Sequence, residues 1–153
     1  MEDWSHLESK EVDHVIGAYY FVRRELFEKL GGLDERFFVY LEDLDFSIRA
    51  KKAGFASYYL ASTTAFHKGG GSSEQVKSAR LFYSLRSRLL YAFKHFGFFS
   101  ASLVLFATLL VEPITRVVFG FSQRSLAAVS ETLSAYWQLW GALPSIFRIS
   151  FNR

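Results

Sequence analysis

Three carboxylates lie close together in the chain, directly after a run of aromatic and aliphatic residues. Glu42, Asp43 and Asp45 follow the segment Phe37–Leu41. An apolar wall beside a carboxylate raises its proton affinity towards the range of a general base. The same residues would also stabilise the first turn of a helix, by about 0.3–1 kcal/mol each, through the helix dipole and its unpaired amides. The pattern therefore predicts either proton transfer or helix capping.

These carboxylates need a scaffold, and the first half of the sequence predicts one made of alternating short elements. Hydrophobic periodicity and turn residues define each element. The predicted elements are a strand at Val12–Val22, a helix at Arg23–Leu30 that Gly31-Gly32 ends, an extended segment at Phe37–Leu41, a helix at Glu42–Ala53, and strands at Phe55–Leu60 and Thr63–His67.

The lengths of these elements predict that His67 lies near Asp43. A helix of twelve residues at Glu42–Ala53 runs ~18 Å, and a strand of six residues returns ~20 Å. A lone histidine at the end of a strand is more often a surface or core residue than a metal ligand. The following loop, Gly69–Ser73, offers free amides and hydroxyls that suit phosphate oxygens, and serves equally well as a linker.

From Glu74 onwards the sequence changes to a helical period without a clear turn signal before Gly97. Apolar residues recur at steps of three or four, namely Leu81, Leu85, Leu89, Phe93 and Phe96. Basic residues surround this stripe, namely Lys77, Arg80, Arg86, Arg88 and Lys94. The pattern predicts a basic amphipathic helix, which packs on a domain core or lies on a membrane.

Two apolar segments follow this helix. Phe96–Val111 contains sixteen residues without a formal charge, and Leu126–Phe147 is mostly apolar with clustered aromatics. A bilayer span needs about 20 apolar residues, so the first segment is short for an unassisted span. We expect membrane-surface helices or a shallow hairpin, with an oligomer interface as the alternative.

Composition narrows the classes of partner and compartment. Residues before Phe55 include 8 basic and 12 acidic side chains, and residues after it include 10 basic and 3 acidic ones. The basic residues alternate with long apolar runs, so an anionic membrane surface is the expected partner and nucleic acid is not. The chain has no cysteine, which excludes disulfides and thiolate metal sites, and its polar start predicts no signal peptide.

Several motifs in fixed order resemble the C-terminal half of the catalytic domain of inverting family-two glycosyltransferases, in their rhamnosyltransferase-like branch. They are Gly17-Ala18, the RRELFEKLGGLDERFF segment, the Glu42-Asp43 pair, Arg49-Ala50, Gly54, and His67 before a Gly/Ser loop. The resemblance extends over Val12 to Gly97. It implies an α/β fold class, the C-terminal portion of a GT-A fold, followed by hydrophobic and amphipathic helices. The expected domains are 1–97, the acceptor side of the transferase, and 98–153, a membrane-associated tail.

The resemblance also implies roles for individual residues. Asp43 matches the catalytic base, and Glu42 would support it or orient the acceptor. His67 matches a ligand of the divalent metal, magnesium or manganese, on the donor diphosphate. The expected substrate-binding residues are Gly17, Ala18, Gly70, Ser72 and Arg86. Asp43-Leu44-Asp45 is not read as the family's metal-binding Asp-x-Asp, because it opens a helix after the acceptor-side strand.

The resemblance implies sugar transfer, with rhamnose the best guess, from a nucleotide-diphospho-sugar donor to a lipid-linked glycan acceptor at the cytoplasmic face of the cell membrane. Family members carry a nucleotide-binding half with the Asp-x-Asp motif before the matching segment, and we expect this chain to begin after it. The metal site would then be incomplete in this chain. The alternative is a non-catalytic remnant, or a membrane-associated partner subunit that completes another chain's site.

Overall fold

The computed structural model of the chain describes residues 5–67 and 76–151. The chain divides into two compact units. The N-terminal unit comprises Met1–Glu35 and Leu41–Gly69, and the helical unit comprises Arg36–Tyr40 and Gly70–Arg153. This division differs from the expected boundary between residues 97 and 98, because the basic amphipathic helix packs with the later helices.

The N-terminal unit is built from short elements. They are strand β1 (Lys10–Val12), a 3₁₀ turn (Gly17–Tyr19), helix α1 (Arg24–Lys29), helix α2 (Glu42–Lys52) and strand β2 (Ser57–Tyr59). The two strands pair antiparallel, with Glu11 opposite Tyr58. Leu26, Phe46 and Ala50 form the buried core of the unit, and it is surrounded by partly buried Tyr20, Val22, Leu30 and Phe55.

Both predicted helices of this unit are confirmed, as is the glycine stop between them. Gly31 and Gly32 adopt φ of 71° and 75°, the left-handed region that glycine enters without steric cost. The Gly31 amide donates to the Glu28 carbonyl at 3.1 Å and the Gly32 amide to the Phe27 carbonyl at 2.8 Å. These two bonds form a Schellman cap that ends α1.

The predicted strands are only partly right. The expected strand at Val12–Val22 is wrong, since the chain leaves β1 at Val12 and then forms the 3₁₀ turn. The strand expected at Phe55–Leu60 shortens to β2, and Thr63–His67 is irregular and exposed. Within the described residues only β1 and β2 pair, so these apolar segments have no further ladder to join. The described residues are therefore mostly helical with a two-stranded sheet.

The helical unit consists of α3 (Lys77–His95), α4 (Phe98–Phe106), a π-helical segment (Ala107–Val111), α5 (Glu112–Ser122) and α6 (Leu126–Phe151). From Phe98 to Ser122 the chain is one continuous helix. The helix therefore extends beyond Val111, where the expected apolar segment ends. Pro113 is tolerated because it occupies the first turn of α5.

The helices of this unit pack through small and apolar residues. α6 packs against both α3 and α5. Leu85 and Leu89, from the predicted stripe of α3, are fully buried, as is Leu139 of α6. A Cβ atom at Gly120 would lie 2.8 Å from Val129 Cγ2, so glycine is what allows α5 to approach α6.

Candidate active site around Asp43

The start of α2 is set by an unusual backbone turn. Tyr40 and Leu41 both adopt φ of 67°, a left-handed conformation that bulky residues rarely enter. The expected extended segment at Phe37–Leu41 is therefore wrong at its last two residues. Strained backbone of this kind is concentrated at functional sites. The turn brings Glu42 and Asp43 into the first turn of α2.

The Asp43 carboxylate is held by two backbone amides. Its Oδ2 accepts from the Gly17 amide at 2.7 Å. Its Oδ1 accepts from the Leu44 amide, also at 2.7 Å. The side chain is 18% exposed. Asp43 therefore satisfies one backbone amide in the first turn of α2, and its side chain remains partly exposed. Its role in proton transfer stays a prediction.

His14 and Ser47 complete the surroundings of Asp43. His14 Nε2 lies 3.8 Å from Asp43 Oδ2, and the imidazole is 29% exposed. His14 Nδ1 lies 3.1 Å from Ser47 Oγ, one turn of α2 beyond Asp43. The Ser47 hydroxyl donates to the Asp43 carbonyl at 2.9 Å. Sequence analysis missed His14, and the only signal was a histidine inside an apolar run.

Asp45 has a structural role. It is fully buried, and its Oδ2 accepts from Arg49 Nε at 2.8 Å. The remaining guanidinium nitrogens of Arg49 donate to the carbonyls of Leu30 and Gly32, each at 2.8 Å. The Asp45–Arg49 pair therefore connects α2 to the turn that ends α1. Because Asp45 is buried with a guanidinium, Asp43 is the accessible carboxylate of the two.

Glu42 lies beside Asp43 and is partly buried. Its Oε2 is shielded from solvent and has no hydrogen-bond partner among the described residues. A buried acceptor of this kind normally has a partner. Its environment is compatible with the predicted role, in which Glu42 supports Asp43 or orients the acceptor.

The described residues do not assemble a metal site. No group of three His, Cys, Asp or Glu side chains that could hold an ion occurs among them. His67 is exposed at the end of the first described segment. A divalent metal prefers several oxygen ligands, and His67 offers one nitrogen. The donor set in this part of the chain does not fit the ion.

The other predicted binding residues fall in different places. Gly17 and Ala18 form the exposed 3₁₀ turn, where the Gly17 amide contacts Asp43. Gly70 and Ser72 lie outside the described residues. Arg86 lies on α3 of the helical unit, where its Nη1 donates to the Arg36 carbonyl at 2.9 Å. That bond fastens the segment Arg36–Tyr40 to α3, so one edge of the guanidinium already has a structural partner.

The helical unit carries an ion-pair cluster and a broad apolar surface. Glu112 of α5 accepts from Arg88 of α3, and from Arg116 at 2.8 Å. Along the helix Phe98–Ser122, Leu103, Phe106, Leu110, Ile114, Val118 and Phe121 are all exposed. This helix is long and apolar enough to cross a membrane, and only 11% of its most apolar window is buried.

Comparison with known proteins identifies the family. The sequence profile described as glycosyl transferase family group 2 matches residues 4–150. The chain belongs to this family. The match extends through α6, beyond the segment Val12 to Gly97 that carries the motif resemblance. The family membership therefore covers the helical unit as well as the unit that contains Asp43.

Three curated proteins are similar to the chain. The N-acetylglucosaminyl-diphospho-decaprenol L-rhamnosyltransferase of Mycobacterium tuberculosis is 34% identical over 95 residues, which cover 61% of this chain and 31% of that protein. Rhamnosyltransferase WbbL of Escherichia coli is 29% identical over 80 residues, 52% of this chain and 30% of that protein.

The third relative is the low-salt glycan biosynthesis hexosyltransferase of Haloferax volcanii, 28% identical over 82 residues, 53% of this chain and 27% of that protein. The chain thus spans about a third of the length of the curated relatives it matches. No solved structure matches the chain.

Proposed function

We propose that this chain forms the acceptor side of an inverting glycosyltransferase, with Asp43 as the general base. The observation that carries the proposal is the Asp43 carboxylate itself. By the motif resemblance it matches the position of the family's base. Two backbone amides fix its orientation, and it stays partly exposed. In this proposal the N-terminal unit corresponds to the C-terminal portion of a GT-A fold.

The proposed reaction transfers a sugar from a nucleotide-diphospho-sugar to an acceptor hydroxyl with inversion at the anomeric carbon. As the bond to the departing diphosphate lengthens, the anomeric carbon becomes cation-like and the attacking hydroxyl becomes more acidic. A carboxylate within hydrogen-bond reach can then take the proton late in the step. Because two backbone amides donate to the Asp43 carboxylate, it is already oriented for that transfer and needs no reorganisation. Glu42, whose Oε2 is shielded from solvent, would support Asp43 from within the protein rather than bind the acceptor through that atom.

The donor sugar and the acceptor follow from the relatives. Two of them are rhamnosyltransferases, and the name of the mycobacterial one specifies a diphospho-lipid that carries N-acetylglucosamine. We propose rhamnose as the sugar and a lipid-linked glycan as the acceptor. The nucleotide, the diphosphate and a divalent metal would be bound mainly by residues outside the described part of the chain, and His67 would add one nitrogen ligand to the metal.

A lipid-linked acceptor requires the protein to work at a membrane, and the helical unit suits that location. Residues 76–151 contain eight Lys and Arg against two Glu, a balance that attracts anionic lipid. We propose that the unit lies on the cytoplasmic face of the cell membrane with the exposed side of Phe98–Ser122 in the acyl boundary.

An orientation in the membrane plane fits the charges better than a span. The Glu112–Arg116 pair lies in the middle part of this helix, and Arg88 joins it from α3. In a spanning helix these side chains would lie near the bilayer centre, where each charge costs about 2.5–3.5 kcal/mol on insertion scales. In the membrane plane they can remain at the headgroup level.

Transfer of radiolabelled rhamnose tests the proposal. The purified chain is placed in vesicles that contain N-acetylglucosaminyl-diphospho-polyprenol, and nucleotide-diphospho-rhamnose is added, with and without a separately expressed N-terminal part of the mycobacterial relative. We expect labelled lipid product only when donor-binding residues are supplied, and none with Asp43→Asn. Asp13→Asn, an exposed carboxylate paired with Lys51 at 2.7 Å, is the matched control.

Two results would contradict this proposal. Product formation that Asp43→Asn leaves unchanged would remove Asp43 from the chemistry. If the folded chain gives no product in either mixture, the non-catalytic alternative, a partner subunit or remnant, becomes the better description.

A further inference from the structure

His14 stands in the right place to affect the chemistry of Asp43, although no motif of the family resemblance includes it. Its imidazole contacts two residues of α2. One ring nitrogen faces Asp43 Oδ2 at 3.8 Å and the other contacts Ser47 Oγ at 3.1 Å. We propose that His14 is a positioning residue that accepts the proton from Asp43 after the acceptor hydroxyl has been deprotonated. This inference rests on the proposed function of Asp43.

The hydrogen bonds of Ser47 define the tautomer of His14. A serine hydroxyl has a single proton to donate, and Ser47 donates it to the Asp43 carbonyl at 2.9 Å. Ser47 Oγ must therefore accept in its other contacts, which are His14 Nδ1 at 3.1 Å and the Tyr20 hydroxyl at 3.5 Å. The proton of neutral His14 accordingly lies on Nδ1.

This tautomer leaves the lone pair of Nε2 facing the Asp43 carboxylate. Two acceptors, Nε2 and Oδ2, then face each other at 3.8 Å without a proton between them. A proton added to either atom converts this repulsion into a charge-assisted hydrogen bond, which is roughly twice as strong as a neutral one. The pair is therefore arranged to retain a proton that Asp43 collects.

The proton transfer balances without any further reactant. The acceptor O–H bond breaks as its oxygen bonds to the anomeric carbon, and the proton goes to Asp43 Oδ2. The Oδ2–H bond then breaks and an Nε2–H bond forms on His14. The products of this step are an Asp43 carboxylate and an imidazolium that donates to Asp43 Oδ2 and to Ser47 Oγ. For this transfer, Asp43 Oδ2 and His14 Nε2 must approach each other by about 1 Å. Catalytic hydrogen bonds commonly tighten in this way only in the substrate complex.

Few other charged groups face His14. Asp43 contacts it from α2, and the Tyr20 hydroxyl reaches the same serine from the segment before α1. The neighbouring Asp13 carboxylate is paired with Lys51. Among the described residues, Asp43 is thus the charged group in ion-pair distance of this imidazole.

The tautomer can be measured without donor, acceptor or metal. Two-bond ¹H–¹⁵N spectra of the full chain in detergent, with His14 assigned by its loss in His14→Gln, report which ring nitrogen carries the proton at alkaline pH. We expect Nδ1–H for His14 and a shift towards Nε2–H in Ser47→Ala. The exposed His67 is an internal reference, and its spectrum should be the same in both proteins. An Nε2–H tautomer in the unmodified chain would overturn the inference.

The catalytic part is measured in the rhamnose-transfer assay. We expect His14→Gln to lower kcat about 10- to 100-fold with little change in the KM for the acceptor, because proton transfer by a positioned group contributes at least that much. The variant should also lose one ionisation from the pH profile of kcat, which a merely structural role would not remove. An unchanged kcat and pH profile would overturn the inference.

These two measurements separate the inference from the proposed function. If Asp43→Asn retains transfer, both the base assignment and the role of His14 fail, whatever the tautomer. If Asp43→Asn abolishes transfer and His14→Gln does not reduce it, the proposed function stands and the inference about His14 is overturned.

Discussion

Gly17 donates its backbone amide to the Asp43 carboxylate at 2.7 Å, across 26 positions of sequence. The absence of a side chain at Gly17 is part of this contact, since a Cβ atom there would lie 3.1 Å from Asp43 Oδ2. Gly17 thus orients the carboxylate through its amide, and the absence of a Cβ atom leaves space for Asp43 Oδ2. Its location in the resemblance motif, which had implied substrate binding, is equally well explained by its contact with Asp43, the proposed base.

Replacing Gly17 with alanine should therefore displace Asp43 without unfolding the unit. The added Cβ requires the carboxylate to move by a few tenths of an ångström, and small misplacements of a catalytic group can cost up to about 100-fold in rate. We expect Gly17→Ala to lower rhamnose transfer about 10-fold or more, with the thermal midpoint nearly unchanged. Gly97→Ala is the control, because its Cβ would contact nothing within 4 Å. Equal activity in the two variants would contradict the prediction.

Asp45 should control stability more than chemistry. Removing one member of a buried ion pair leaves an uncompensated charge and typically costs about 3–5 kcal/mol. We expect Asp45→Ala to lower the free energy of unfolding of the N-terminal unit by about that amount, because Arg49 would lose its buried carboxylate and keep the Leu30 and Gly32 carbonyls as hydrogen-bond partners. Urea unfolding followed by circular dichroism measures the change.

The matched comparison for Asp45 is Asp13→Ala, which removes an exposed ion pair with Lys51. Exposed pairs contribute little to stability, so its urea midpoint should equal that of the unmodified chain. Similar losses in the free energy of unfolding of both variants would contradict the structural role of Asp45 in α2.

The helices of both units were predictable because their signals are local. Glycines at 31 and 32 mark the end of α1, and the apolar stripe that includes Leu85 and Leu89 marks the buried side of α3. The strands were less predictable, because the apolar content of Val12–Val22 indicates burial but not a pairing partner. Within the described residues only three residues of each strand pair.

The sequence indicated candidate site residues only through local patterns and the family motif. Asp43 and Glu42 were identified in this way. The left-handed turn that precedes them was not, since neither tyrosine nor leucine is a residue type that favours positive φ, as Tyr40 and Leu41 adopt here. His14 and Ser47 are 33 positions apart and share no motif. A contact of this kind arises from tertiary packing and leaves no periodic trace in the sequence.

Tyr136 of α6 makes the stability of the helical unit sensitive to alkaline pH. Its hydroxyl is buried without a hydrogen-bond partner among the described residues. Burial, and after it the negative charge of Glu112, raise the pKa of Tyr136 from 10.0 to about 12, against the opposite effect of Arg116 and Arg88. The unfolded chain therefore releases this proton at lower pH than the folded chain does.

The sign of the effect follows from linkage. The Tyr136 contribution is fully present below pH 10 and declines as the pH rises towards 12, by at most about 2–3 kcal/mol. We expect the free energy of unfolding of Tyr136→Phe to fall less steeply with pH than that of the unmodified chain over this range. Urea titrations followed by circular dichroism at each pH measure it. Tyr58→Phe, an exposed tyrosine of the N-terminal unit, is the control and should keep the original slope. Identical slopes in all three proteins would contradict the prediction.

Membrane binding by the helical unit should depend on the exposed aromatic residues at the start of α4. Phe98 and Phe99 are 74% and 83% exposed, and burying both in the acyl boundary would gain about 25 cal/mol for each Å² of apolar surface removed from water. We expect the double variant Phe98→Ser, Phe99→Ser to bind vesicles with 30% anionic lipid at least about 10-fold more weakly in flotation assays. Phe66→Ser, which removes a phenylalanine that is 96% exposed in the N-terminal unit, should bind normally.

The orientation of the helical unit can be measured on the same vesicles through Trp137, which is 82% exposed on α6. In the proposed in-plane arrangement, charged residues remain at the headgroup level and the tryptophan lies at the interface, where its amphipathic ring is favoured. Lipids brominated near the headgroup should therefore quench Trp137 fluorescence more than lipids brominated near the chain end, in a chain whose other tryptophans are replaced by phenylalanine. Stronger quenching from the chain end would instead place α6 deep in the bilayer. That result would contradict the in-plane orientation, because the ion pairs of Glu112 on the adjoining helix α5 would then lie in hydrocarbon.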